Sequence, residues 1–237
     1  MKVVKKSKGR GSTTELGVPE NYKGTFEGVR YEVIKSGSKG NCVKIHDVMV
    51  DCGVPFKDIQ DHLYDVKYLL ITHSHSDHVK ETTLNRIKKM FPKITIIGNY
   101  EINELFGVDI IANDGYPVVT MDYTFHPFEV KHDVLCYGFY WKTNFTEREL
   151  TILYCTDAQD MPTFFQQEGI AIDMFFLESN HDVKKVQAAS AGGKFGYNVA
   201  LGARRHLNHD QAKLFYFMNR VSKDSLWVEL HRSERFY

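Results

Sequence analysis

Apolar and polar positions begin to alternate at Val29. "VRYEVIK" (29–35), "NCVKIHD" (41–47) and "VMVDCG" (48–53) either alternate or are rich in β-branched residues, and "SGSKGN" (36–41) sets turn residues between the first two. A period of two with turn chemistry between runs predicts an antiparallel meander. "VKYLLIT" (66–72) is almost wholly apolar, as a strand covered on both faces would be. The period then changes: Val79, Leu84, Ile87 and Phe91 fall at helical spacing within "VKETTLNRIKKMF" (79–91). "KITIIG" (93–98) opens a second strand-to-helix unit.

Beyond Tyr116 the pattern is mainly β, in "PVVTMDYTF", "FEVKHD", "VLCYGFYWK" and "ELTILYCTD". "DMFFLES" (173–179) predicts another strand, 182–189 a short helix, 210–219 a longer amphipathic helix and "SLWVELH" (225–231) a last strand. Residues 1–27 carry Gly9, Gly11, Gly17, Pro19 and Gly24 among polar residues and read as an irregular arm before one domain over 28–237. Two groups of strands, each followed by helices, predict an α/β fold. Its two sheets pack face to face with helices outside, a four-layer αββα sandwich.

Composition narrows the partners more than the fold. The chain of 237 residues is 43% hydrophobic and 25% charged, which suits one globular core and excludes a fibrous or mostly disordered chain. Lys+Arg and Asp+Glu both number 30, so no global positive field favours long nucleic acid. The basic "MKVVKKSKGR" reads as a solvated tail. Cys42, Cys52, Cys136 and Cys155 form no CxxC pair and lie in or beside apolar runs, as reduced buried thiols do. No run resembles a secretory signal or is long enough to span a bilayer, so the expected setting is the cytoplasm, without membrane contact.

The chemistry concentrates in "HSHSDH" (73–78), directly after the apolar strand. His73, His75 and His78 offer imidazole nitrogens and Asp77 a carboxylate, donors that borderline-soft divalent metals such as zinc accept. In an extended segment His73 and His75 point the same way, while Asp77 and His78 sit where the chain turns into the helix. The hexapeptide therefore implies two ions. A purely structural zinc site would use four closed ligands rich in cysteine, and no cysteine accompanies this cluster.

HxHxDH after an apolar strand resembles the metallo-β-lactamase fold superfamily, and the later residues follow that family's order across most of 29–231. The resemblance assigns His73, His75 and His132 to one ion, Asp77, His78 and His231 to the other, and Asp157 to both. It implies two divalent metals, Zn2+ with Mn2+ as the alternative, and a catalytic role for Asp77. It also makes Asp51 in "VDCG" the carboxylate that orients the first histidine pair.

"SGSKGN", "LESNHD" (177–182), "RRHLNHDQA" (204–212) and "LHRSE" (230–234) resemble the YycJ-like branch, near the phosphodiesterase and nuclease members. The third motif departs from that branch's "GHLSN": an arginine precedes the histidine and Asn208 replaces serine. His206 is the candidate to protonate a leaving alkoxide or to bind phosphate. Asn208 with Gln211 matches a capping box, His181 is a candidate to reach the site from its loop, and the glycines of "SAGGKFGYN" (190–198) are candidates to approach a phosphate.

No clamp domain or RNA-gripping arm fits between the motifs, which favours small substrates. The compact architecture resembles viral enzymes that destroy cyclic nucleotide second messengers, the anti-Pycsar proteins. The expectation is a homodimeric hydrolase, phage-encoded in that case, that opens cyclic 3′,5′-nucleotides to nucleoside monophosphates. A YycJ-like DNA exonuclease is the alternative. A fold that binds metal without catalysis would have shed ligands, and all seven are here.

Overall fold

In the computed structural model, residues 21–191 and 198–237 are described. The sheet starts earlier than the sequence pattern suggests. β1 (Tyr22–Phe26) pairs antiparallel with β2 (Val29–Lys35), so the end of the expected irregular arm is a strand; residues 1–20 lie outside the described residues. β3 (Cys42–Ile45) and β4 (Val48–Val50) complete the meander. β5 (Tyr68–Ile71), β6 (Thr95–Gly98) and β7 (Ile110–Ile111) then add in parallel, giving a seven-stranded sheet in sequence order. α1 (Glu81–Met90) and α2 (Tyr100–Phe106) supply the crossovers.

The second sheet has six strands in the order β13-β12-β11-β10-β9-β8. "PVVTMDYTF" is not one strand: β8 (Val118–Val119) turns through Thr120–Tyr123 into β9 (Thr124–Val130), with the Thr120 hydroxyl bonded to Tyr123 on both backbone groups. β10 (Cys136–Lys142) and β11 (Thr151–Cys155) continue antiparallel, and β12 (Met174–Glu178) and β13 (Leu226–Leu230) add in parallel. The connections hold α3 (Phe164–Gln167), α4 (Val183–Ala191), α5 (Val199–Ala203) and α6 (His209–Asn219). Sequence periodicity missed α3 and α5 because each is too short to show a repeat.

Side-chain alternation builds four layers. Tyr68 and Leu70 of β5 and Met174 and Phe176 of β12 meet in the core between the sheets, around the buried Trp141. Leu69 and Ile71 pack outward with Leu84 and Ile87 of α1, while Phe175 and Leu177 pack outward with Phe215 and Tyr216 of α6. These strands are apolar throughout because both faces are covered. The expected αββα sandwich is the observed one. No helix among the described residues is long and apolar enough to cross a membrane.

Candidate metal centre

The carboxyl ends of the strands from both sheets meet at one edge, and nearly every polar group of interest leaves the backbone there. Asp51 follows β4, the HSHSDH turn follows β5, His132 follows β9, Asp157 follows β11, Glu178 ends β12 and His231 follows β13. Asp51, Asp157 and His231 take left-handed backbone angles, with φ of 62°, 58° and 52°. Such angles are uncommon outside glycine and tolerated best by Asp and Asn. They break each strand at once and turn the side chain across the sheet edge.

The turn itself is held from two sides. His78 and Val79 N–H donate to the His75 carbonyl at 2.9 Å, Asn41 N–H donates to the Asp77 carbonyl at 2.6 Å, and Cys52 N–H donates to the His78 carbonyl at 2.8 Å. Gly53 lies so close that a Cβ there would sit 1.8 Å from the Asp77 carbonyl oxygen. This packing explains the glycine of "VDCG", and the asparagine that ends "SGSKGN" is explained by its side-chain Nδ2, 3.3 Å from the Asp77 carbonyl and 2.8 Å from His78 Nε2.

Four overlapping groups result among the described residues, three of them made only of the seven residues assigned to metal. His73, His75 and His132 bring ligand atoms within 4.8 Å of one another, as do His73, His78 and Asp157, and Asp77, His78 and His231. Nε2 of His73 faces Nδ1 of His75 at 3.2 Å. Asp157 stands between the groups: its Oδ2 is 2.9 Å from His78 Nε2, and its Oδ1 is 3.6 Å from His231 Nε2 and 4.0 Å from His132 Nε2. The structure thus brings together all seven residues that the sequence singles out.

Their fit to cations can be judged from unsatisfied atoms. Nδ1 of His132 and Nε2 of His231 are buried without a hydrogen bond. Buried polar atoms are rarely left so, and the exceptions call for an ion or a water. Nitrogen and carboxylate donors without thiolate suit zinc or manganese. Cys136 Sγ contacts His73 on Nδ1, the nitrogen turned away from His75, at 3.6 Å. Burial pushes its thiol pKa well up, so it remains neutral.

Carboxylates behind the imidazoles fix their orientation. Asp51 Oδ2 is 2.7 Å from His78 Nδ1, and Oδ1 accepts the Thr72 N–H at 2.9 Å. Asp51 therefore orients His78, not the His73–His75 pair as expected; it reaches His73 only through the Thr72 hydroxyl, 3.0 Å from His73 Nδ1. The turn folds back onto the end of β4, where Cys52 N–H donates to the His78 carbonyl.

Glu178 is the residue that sequence reading missed. Its Oε1 lies 2.8 Å from His206 Nδ1 and 2.9 Å from His231 Nδ1, and its Oε2 accepts N–H groups of Ala158 and Leu207. The available signal was a carboxylate ending an otherwise apolar strand. Burial alone would raise its pKa, but the two imidazoles hold it below the usual range. Burial likewise opposes a charged His206, yet Glu178 and Asp157 push its pKa up to about 9. For Asp157, burial is outweighed by His231 and His78, which hold the carboxyl well below its ordinary value.

The remaining candidates divide. His206 joins Asp157, Glu178 and His231 in one cluster. His181 does not join any of these groups: its ring contacts Asn180 Oδ1 at 3.3 Å and its carbonyl accepts from His209 N–H. The Asn208–Gln211 capping box is present at α6. Of the glycine-rich 190–198, residues 192–197 lie outside the described residues.

Comparison with known proteins agrees with this fold. No protein-family model matches the chain. Exodeoxyribonuclease YycJ of Bacillus anthracis is 27% identical over 183 residues, 68% of this chain and 66% of that protein, so the chain spans just under two thirds of its relative's length. Among solved structures, human tRNase Z, short form, superposes with a TM-score of 0.60 at 14% identity, covering 86% of this chain and 93% of that one. The metallo-beta-lactamase fold protein YhfI from Bacillus subtilis superposes with a TM-score of 0.54 at 15% identity, covering 88% and 98%. With its two sheets, outer helices and strand-end cluster, this chain has the metallo-β-lactamase fold.

Proposed function

We propose that the chain is a dinuclear-metal phosphodiesterase that hydrolyses cyclic 3′,5′-nucleotides to nucleoside monophosphates. The observation that carries the hydrolase reading is the convergence of seven donor side chains, two with an unsatisfied buried nitrogen, beside a histidine held by Glu178. The nuclease identity of the relative and of the tRNase Z structure supports phosphodiester chemistry over lactam or thioester cleavage.

His73, His75, His132 and Asp157 would hold one ion, and Asp77, His78, Asp157 and His231 the other. Two divalent ions in such a site supply Lewis acidity and lower the pKa of water towards neutrality. The chain's own groups do the rest. Asp77, whose side chain is 28% exposed against 5% for Asp157, is open to receive the proton of the attacking water. His206 is tied at Nδ1 to Glu178, which leaves Nε2 to donate a proton to the departing ribose oxygen.

A small substrate is supported by the balanced charge and by the short connections between the site residues. The homodimer expected from the resemblance finds support in α6, where Leu214, Phe217 and Met218 stay exposed at helical spacing. The test incubates the metal-loaded protein with cyclic mononucleotides and, separately, with linear single- and double-stranded DNA, each with and without chelator. Chelator-sensitive opening of the cyclic nucleotides is expected. Cleavage of DNA alone would reject the reading in favour of an exonuclease.

A further inference from the structure

Arg205, one of this chain's two departures from the expected motif, lies in the loop between α5 and α6 and pairs with Asp133, the residue after His132. Its Nη1 lies 2.9 Å from Asp133 Oδ2, and the other oxygen of that carboxylate is 3.0 Å from His132 Nε2 and 3.5 Å from His75 Nε2. Asp133 thus presents an anionic group to the same imidazoles that line the first metal group, with a guanidinium behind it. Both side chains are solvent-accessible, at 54% and 39%, so the pair opens at little cost.

The surroundings give the arginine a reason. Beside His132 lies a recess of about 620 Å³ whose lining includes Glu101, Asp114, Glu129, Asp133 and Asp160 against Lys131. A phosphate entering a site flanked by that many carboxylates meets repulsion on one side, and a cation must offset it on the other. Arg205, next in sequence to His206 and paired with Asp133 of that lining, supplies such a cation, and its planar fork suits two phosphate oxygens.

We propose that Arg205 is the residue that binds the substrate's non-bridging phosphate oxygens, and that Asp133 occupies their place until the phosphate displaces it. The nucleoside then points toward the acidic recess, where carboxylates accept hydrogen bonds from sugar hydroxyls and base amino groups. A strand carrying further phosphates would have to run past the same carboxylates. This assignment rests on the phosphodiesterase reading and sharpens its substrate class to a single phosphodiester with a donor-rich nucleoside.

The test compares metal-loaded wild type with R205A and D133N, each first shown to carry the same metal content. Inorganic phosphate binding is measured by calorimetry, alongside KM and kcat for a cyclic nucleotide. R205A should weaken phosphate binding and raise KM by about tenfold, the size of a lost charge-assisted contact. D133N should do the opposite, tightening phosphate binding and lowering KM. If the pair is merely structural, both variants move the same way, and that result overturns the assignment, as does wild-type phosphate affinity in R205A. Wild type that binds phosphate through Arg205 but cleaves no phosphodiester would instead reject the catalytic reading.

Discussion

The carboxylate of Glu178 lies 2.8 Å from Nδ1 of His206, and the same oxygen lies 2.9 Å from Nδ1 of His231. One buried acid therefore sets the orientation of both a proposed metal ligand and the proposed proton donor. Its second oxygen accepts two backbone N–H groups, so all its capacity is used.

Replacing Glu178 tests that coupling. E178A leaves two imidazoles and two buried N–H groups unpaired, and should destabilise the fold by about 3 kcal/mol or more. E178Q retains the shape and should lose about 10–100-fold in metal affinity or activity. Denaturant unfolding and metal titration read the two effects separately.

Gly53 tests the packing under the turn. In G53A the new methyl group collides with the Asp77 carbonyl, and a backbone clash of this depth should cost about 1–3 kcal/mol. It should also displace Asp77 and His78 together, so that affinity for one of two ions falls while the other is retained. Thermal unfolding with stepwise metal titration checks both.

Asp51 and His78 are both fully buried, and D51N replaces an acceptor that fixes the imidazole with an amide that fixes it poorly. Metal affinity should fall about 10–100-fold at the site that uses His78. His73, which Asp51 reaches only through Thr72, should keep its ion.

The Glu178–His206 pair predicts how the metal-free protein responds to pH. A histidine with its folded pKa raised to about 9 contributes stability in full below its unfolded value near 6.5, and loses it as pH rises towards 9. Glu178, with its pKa lowered, contributes above the usual glutamate range and loses it in acid. The contribution of this pair should thus plateau between about pH 4.5 and 6.5 and fall by roughly 3 kcal/mol across the alkaline limb. H206Q should flatten that limb; an unchanged pH profile in H206Q would show that the pair is not charged.

Much of the arrangement was legible from residue patterns. Runs such as "VKYLLIT" and "DMFFLES" announce strands covered on both faces, and β5 and β12 are so covered. The HSHSDH turn stands out because four donors crowd into six positions. His132, Asp157 and His231 carry no local signal beyond their place after a strand, and became readable through the order a known family keeps. What stayed hidden depends on tertiary approach. Glu178 looks like one more strand residue until β13 and the 205–208 loop bring two imidazoles to it. Asp51 serves His78 because the turn folds back, which spacing alone does not reveal. β1 escaped notice because "YKGTF" offers little alternation and its pairing comes from β2.

The account depends on two cations gathered by seven side chains, and counting them is the most direct test. Elemental analysis of the purified chain, followed by calorimetric titration after chelation, should give two divalent ions per chain, and D157N should weaken the binding of both because Asp157 stands between the two groups. A chain that takes up no divalent ion, or a D157N variant that binds two ions as tightly as wild type, would contradict it.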